Sequence, residues 1–424
     1  MDQAQNDLLT QVGPGTPGGE MLRRYWTPAA LSEELPIGGA PLPIRLLGED
    51  LVLFRDDQGQ PGLLGLHCAH RGADLSYGRT EDGGLRCLYH GWLYDRQGRC
   101  LEQPGEPAGS SFHEKIRQRA YPCHETAGVI FTYMGPPEIP LFPNYALFRV
   151  PPEQQWVHKH YHECSYLQGD EGNIDSVHVS ILHAFLPGGR YARGPNPQGG
   201  SGDGVARGAR AVYSTVPKCE FTHFGVRIYQ MNDSDAPYVQ TKNFVMPWTC
   251  AVGGGPSGTG DGYLMNWHIP IDDTHHWRYS MSFKLSGPID PKHVIARESV
   301  TDEHYRFFRK RENRYLQDRE EMKTDTFAGF GPVFVTGDHF ATETAGAIQD
   351  RTQEHLAPSD AGLVAVRQAL RGAIKDVQAG RDPPNVIRTP EQQERLLDIT
   401  VARFGLPSVA AWDDFPPKVS QSEA

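Results

Sequence analysis

Residues 86–95 read RCLYHGWLYD, and residues 67–75 read HCAHRGADL. Each holds a cysteine and a histidine one turn apart: Cys68-x-His70 and then, after sixteen residues, Cys87-x-x-His90. The flanking runs, PLPIRLLGEDLVLFRDDQGQPGLLGL at 41–66 and AGVIFTYMG at 127–135, are short, apolar and cut by Gly, Asp and Pro. That is the texture of strands and turns. The two pairs therefore sit on two loops of an all-β unit.

Cys-His pairs on two loops serve few purposes. Structural zinc favours pairs such as C-x₂₋₄-C and H-x₃₋₅-H. Ordinary iron–sulfur clusters take four thiolates. A Rieske [2Fe-2S] centre takes two cysteines on one iron and two histidines on the other, so each loop supplies one ligand to each iron. Glycines beside the pairs allow backbone N–H groups to approach the sulfides. His67 and Cys100 lie outside the spacing and read as structural residues. A Rieske centre is fully coordinated and does not itself bind substrate, so a second site is expected.

Residues 168–183, QGDEGNIDSVHVSILH, contain Asp175-x-x-His178-x-x-x-x-His183. Asp175 and His178 share a face of a helix. His178 and His183 diverge by about 140° on a regular helix, so they meet one ion only where the helix is distorted or ends. Two histidines and a carboxylate form the facial triad of non-haem iron(II) oxygenases. Spacing does not choose the carboxylate among 52 acidic residues.

With both motifs in this order, the chain resembles the oxygenase component of Rieske non-haem iron oxygenases, nearly end to end. The segments at 13–36 and 112–125, GPGTPGGEMLRRYWTPAALSEELP and FHEKIRQRAYPCHE, are similar to the branch that holds phthalate 4,5-dioxygenase-type enzymes and the 5,5'-dehydrodivanillate-type O-demethylases. The resemblance implies an α+β chain. An N-terminal all-β Rieske domain (26–135, after an extension over 1–25) precedes an antiparallel-sheet, helix-grip catalytic domain (136–415). A disordered tail follows (416–424). It implies Cys68, His70, Cys87 and His90 as cluster ligands. Residues 337–356, GDHFATETAGAIQDRTQEHL, match the closing segment of this branch and nominate Asp338 as third iron ligand beside His178 and His183, with Glu343 as fallback. Asp175 is implied to link His178 to His90 of a neighbouring subunit in a head-to-tail trimer.

The implied activity is O₂-dependent oxygenation of an aromatic acid. Electrons come from a ferredoxin and/or flavin reductase, so NAD(P)H acts only through that separate protein. This chain has no nicotinamide fingerprint of its own. Phthalate-type members carry an Arg after a Tyr-Val pair, where PYVQTKNFVMPW (237–248) has Gln240. That departure favours O-demethylation of a methoxylated aromatic, with formaldehyde release, over phthalate-type ring hydroxylation. Lys242, Arg190, Arg193, Arg207 and Arg210 are candidate replacements, each read by default as a surface or loop residue. A non-catalytic Rieske electron-transfer protein is the alternative of another class, and a zinc-stabilised structural protein a third.

The bulk composition agrees. A length of 424 residues suits two domains. A net charge of −11 argues against nucleic acid or an anionic membrane as partner. No apolar run has the length of a leader or a membrane span. Seven scattered cysteines do not resemble a disulfide framework, so a reducing, cytoplasmic setting is expected. GPPEIPLFPNY at 135–145 reads as a linker. A helical stretch is expected around 162–183, strands over roughly 210–285, and charged helices from about 290, including 300–322 and 362–380. Two glycine-rich stretches, 194–204 and 251–262, read as mobile loops.

Overall fold

Alternating apolar residues and tight glycine turns organise the first third of the chain into small antiparallel sheets. The computed structural model describes residues 1–175, 177–186, 188–189, 216–232, 237–253, 261–291 and 299–415. The stretch 194–204, most of 251–262, the tail 416–424, and Arg190, Arg193, Arg207 and Arg210 lie outside them.

Helices α1 (Gln3–Thr10) and α2 (Pro17–Leu22) open the chain. Strands β1 (Trp26–Leu31), β2 (Leu42–Leu46), β3 (Glu49–Arg55), β4 (Pro61–Gly65), β5 (Arg79–Glu81), β6 (Gly84–Arg86), β7 (Leu93–Asp95), β8 (Cys100–Glu102), β9 (Ala120–Tyr121), β10 (Cys123–Thr126) and β11 (Val129–Tyr133) follow. They pair as β1-β11-β10, β2-β3-β4-β9 and the meander β5-β6-β7-β8. The first Cys-His loop leaves β4, and the second is the β6–β7 turn. Val52, Phe54, Leu64, Leu75, Leu85 and Tyr94 pack beneath both loops, with Cys68 and Cys87 among them.

The larger unit is built on a second antiparallel sheet. Its strands are β12 (Gln155–His162), β13 (Lys218–Thr222), β14 (Gly225–Asn232), β15 (Tyr238–Val245), β16 (Thr249–Val252), β17 (Leu264–Asp272), β18 (His275–Phe283) and β19 (Arg403–Gly405). They run in the order β12-β18-β17-β16-β15-β14-β13, with β19 against β15. The helices around the site are α3 (Tyr166–Ile174), α4 (Val177–Ile181), α5 (Phe334–Thr344) and α6 (Ala361–Gln378), with short turns of helix at Glu321–Thr324 and Pro390–Glu394 besides. Helix α3 packs on β15–β18 and on α5, and α6 packs on β13 and β14. The architecture is α+β, a β-rich N-terminal unit followed by a sheet with helices laid on it. The apolar core is continuous between the two, from Leu9, Leu31 and Leu51 to Trp248, Met265 and Val366.

The segment 300–322 corrects the helical expectation. It forms turns and a short 3₁₀ stretch, Arg311–Leu316, with left-handed backbone at Arg314, Tyr315 and Leu316. The reversal sends Tyr315 inward, where its hydroxyl donates to Glu343 Oε2 at 3.1 Å. Burial of Tyr315 and Phe307 overrides a composition that suits a helix. The stretch 362–380 is helical, as α6.

A buried ion-pair network fixes α3. Glu171 accepts from Arg351 Nη2 at 2.7 Å and Arg367 Nε at 2.6 Å. Arg351 is 0 % exposed and also donates to Asn6 Oδ1 at 3.0 Å. Arg367 pairs in addition with Glu354. Helices α1, α3 and α6 are thereby tied together. Burial opposes the charge on Glu171, but the two guanidiniums hold its carboxyl below the usual range. Replacing Glu171 by Gln leaves two buried cations under-paired and is expected to cost roughly 3–5 kcal/mol, read as a shifted urea midpoint. A depressed folded-state value stabilises fully above about pH 4.3 and loses that contribution as pH falls through it. Between about pH 5 and pH 3 the wild type should therefore lose stability more steeply than Glu171→Gln.

Candidate metal centres

The two Cys-His loops have the same local construction. Each closes through a glycine in the left-handed region: Gly72 (φ +75°) donates its N–H to Cys68 O at 2.8 Å, and Gly91 (φ +73°) to Cys87 O at 3.0 Å. A side chain at either position would be strained. Cys68 and Cys87 are buried, while His70 and His90 stand at the rim with ring centroids 4.5 Å apart. His70 stacks on Trp92 at 4.3 Å, and its Nδ1 is buried with no hydrogen-bond partner. The Tyr94 hydroxyl lies 3.1 Å from Cys68 Sγ. Among the described residues, the donor sets that converge within 4.8 Å are His178–His183–Asp338 and His162–His339–Glu343. No three of Cys68, His70, Cys87 and His90 do so. A zinc ion, with ligand bonds of about 2.0–2.3 Å, needs tighter convergence. A thiol pair inside and an imidazole pair outside, one imidazole with an orphaned ring nitrogen, fits a two-iron cluster.

The second constellation depends on a break. Helix α3 stops at Ile174, and Asp175 is extended (ψ 127°). Asp175 is held at three points. Its N–H donates to Glu171 O at 3.0 Å, its Oδ1 accepts from Val177 N–H at 2.8 Å, and its carbonyl accepts from Lys242 Nζ at 3.0 Å. The short α4 then begins at Val177 and is followed by a turn at His183. This break removes the divergence that a straight helix would impose on His178 and His183.

Their Nε2 atoms converge on one carboxylate oxygen. Asp338 Oδ1 lies 3.0 Å from His183 Nε2 and 3.5 Å from His178 Nε2. Asp175 Oδ2 lies 3.4 Å from His178 Nδ1, which favours the tautomer with Nε2 free as a ligand. His183 stacks on Phe334 at 3.5 Å, and a Cβ on Gly337 would come within 3.0 Å of its ring. Burial opposes the charge on Asp338, yet the two imidazoles and Arg278 hold its carboxyl well below the usual range. Burial likewise works against a proton on His178, but Asp175 and Asp338 raise it to about 9. Three ligand atoms at these separations fit a divalent cation, which would take the place of the proton that Asp175 and Asp338 otherwise hold on His178.

Glu343 does not join this set. Its Oε1 accepts from Glu163 N–H at 2.7 Å and its Oε2 from Tyr315, with His339 Nε2 3.4 Å away. Both oxygens are engaged, so His162, His339 and Glu343 read as a buried polar cluster. Lys242 is neither surface nor loop: it is half-buried on β15 and directed at Asp175. Gln240 lies two residues earlier on the same strand, hence on the same face. Arg278, which bonds Asp338 Oδ2 at 3.0 Å, escaped the sequence reading. Its signal was the alternation in HHWRYSMSF, which puts His276, Arg278, Ser280 and Ser282 on one face of a buried strand. A partly open cavity is lined by Asn173, Asp175, His178, Arg278 and Asp338 and, at exposed positions, by His355 and Leu356.

Comparison with known proteins places the chain in a family. Residues 25–122 match the Rieske [2Fe-2S] domain and residues 132–399 the LigXa C-terminal domain like family. The oxygenase subunit of phthalate 4,5-dioxygenase from Pseudomonas putida is 36 % identical over 405 residues, covering 89 % of this chain and 87 % of that one. The 5,5'-dehydrodivanillate O-demethylase oxygenase subunit of Sphingobium sp. (strain NBRC 103272 / SYK-6) is 32 % identical over 403 residues, covering 94 % and 86 %. The solved structure of an NdmA QL mutant of Pseudomonas putida CBB5 with caffeine shares the fold at TM-score 0.58 and 18 % identity, covering 91 % and 97 %. The chain belongs to the Rieske non-haem iron oxygenases, as an oxygenase component with a LigXa-like C-terminal domain. It is an oxidoreductase that works with a Rieske cluster, a mononuclear iron and O₂. No described helix is long and apolar enough to cross a membrane.

Two substitutions separate the centres. Asp338→Asn should lower iron from about three to about two per chain and leave the visible absorption of the cluster intact. Cys87→Ser should abolish that absorption. Iron analysis and a visible spectrum of each variant check both expectations.

Proposed function

We propose that the cluster is held by Cys68, His70, Cys87 and His90, and the mononuclear iron by His178, His183 and Asp338. When bound, the two groups supply single electrons and the activation of O₂. The chain's own residues then have distinct tasks. Asp175, pinned at three backbone and side-chain points, keeps His178 in one tautomer. It also lines the partly open cavity, where it can meet His90 of the partner subunit in a head-to-tail trimer. A ferredoxin and/or flavin reductase supplies the electrons, and the cytoplasm is the setting. None of the seven cysteines is joined in a disulfide, in keeping with a reducing compartment.

The substrate reading is an aromatic acid bearing a methoxy group, oxygenated at the methyl carbon so that formaldehyde leaves. The observation that carries it is Lys242. Its half-buried ammonium stands near Asp175, on the face of β15 that also presents the neutral Gln240. Arg278 is committed to Asp338. Among the described residues, Lys242 is the cation that β15 sets toward Asp175 and Asp338, and one cation suits one carboxylate and not the vicinal pair of phthalate. Ring hydroxylation remains the second reading, favoured by the 36 % identity to a phthalate 4,5-dioxygenase subunit.

A single turnover tests the choice. Chemically reduced protein, freed of reductant, meets O₂ and a panel of methoxylated aromatic acids and phthalates. Formaldehyde at close to one per active site is expected. A cis-diol from phthalate without formaldehyde would select ring hydroxylation. Lys242→Met should raise KM for the acid by about 10–100-fold, and kcat should fall as well, because the same ammonium holds the Asp175 carbonyl. Asp175→Asn should keep its iron and slow cluster reoxidation in stopped flow by about 100-fold or more, in proportion to a lost link of ~3 kcal/mol.

A further inference from the structure

The two oxygens of Asp338 are used differently. Oδ1 faces His183 and His178, whereas Oδ2 accepts from Arg278 Nη1 at 3.0 Å. Arg278 and Asp338 are both buried, with side chains 4 % and 9 % exposed. Arg278 sits mid-strand on β18, flanked in register by His160 on β12 and His268 on β17. Among the described residues, Asp338 is the carboxylate that pairs with it.

Among the described residues, no second acidic side chain compensates that guanidinium. Burial drives His162 and His268 well below their usual range and His276 to about 4, and Arg278 adds to each depression. His276 donates Nδ1–H to Cys164 O at 2.8 Å, so it is held in one neutral form. Arg278 is therefore a buried cation in a shell of neutral rings. Leaving such a charge unpaired is strongly unfavourable, and Oδ2 is held to it accordingly.

We infer that Arg278 is a positioning residue that reserves Oδ2, so that Asp338 offers a bound divalent ion one oxygen and not two. The inference rests on the reading of Asp338 as an iron ligand. Three single-atom donors occupy half of an octahedral shell, whereas a chelating carboxylate would take a fourth position. Arg278 thereby keeps one further position open to exchangeable ligands.

The test counts those positions directly. Protein with its cluster intact is stripped of mononuclear iron and loaded with Mn(II), and bound water is counted by deuterium electron spin-echo modulation. The wild type should hold about three waters, and Arg278→Leu about two, as Oδ2 turns to the ion. Two waters in the wild type would overturn the inference, and so would three in a folded Arg278→Leu. If Arg278→Leu does not fold, Arg278→Met takes its place in the count, with the same two outcomes. Failure of the underlying site reading looks different: Mn(II) binding would then survive both Asp338→Ala and His183→Ala.

Discussion

Helix α3 has to end before His178, because a straight helix would turn His178 and His183 away from each other. Asp175 makes that ending. Its extended backbone stops the helix, and its Oδ1 caps the next turn through Val177 N–H. Its Oδ2 is then left toward His178. Local side-chain bonding of this kind is why Asp competes with helix propagation. One residue thus breaks the helix, restarts the chain and orients an imidazole. Lys242 reaches from β15 to hold the carbonyl at the break.

A break of this sort tolerates little movement, and the rest of the molecule restrains it. Glu171, one turn before Asp175, is locked by Arg351 and Arg367. Gly169, on the same helix, lets α3 lie against His268: a Cβ there would sit 2.1 Å from the ring nitrogen. On the other side, α5 brings Asp338 in with Gly337 against His183 and Phe334 stacked on the same ring. Buried charges are arranged in compensated groups, Glu171 with two arginines and Asp338 with Arg278 and two imidazoles. Each group would be destabilising if one member were removed.

Legibility in the sequence followed the range of the interaction. The Cys-His loops were readable because each is a local turn, closed by its own glycine. The β texture around them was readable for the same reason. Lys242 was misjudged because a lysine in a strand is ordinarily solvated, and only the approach of Asp175 from another element gives it a buried partner. Glu171 had no assigned role for a similar reason, since its partners lie 180 and 196 residues away. The segment 300–322 was misread because its charged, helix-compatible composition says nothing about Tyr315, which must reach Glu343.

By itself the sequence determined the two Cys-His pairs, the Asp-His-His motif, their order and the α+β division, since periodicity and short spacings act within one or two turns of chain. Resemblance to a family then singled out Asp338 among the acids. Only the tertiary structure decided that Asp338 and not Glu343 lies beside His178 and His183, and that its second oxygen belongs to Arg278. Those outcomes depend on how α5 is placed against β18 and α3. Such packing is set by the volumes and charges of residues more than a hundred positions apart, which no local pattern encodes.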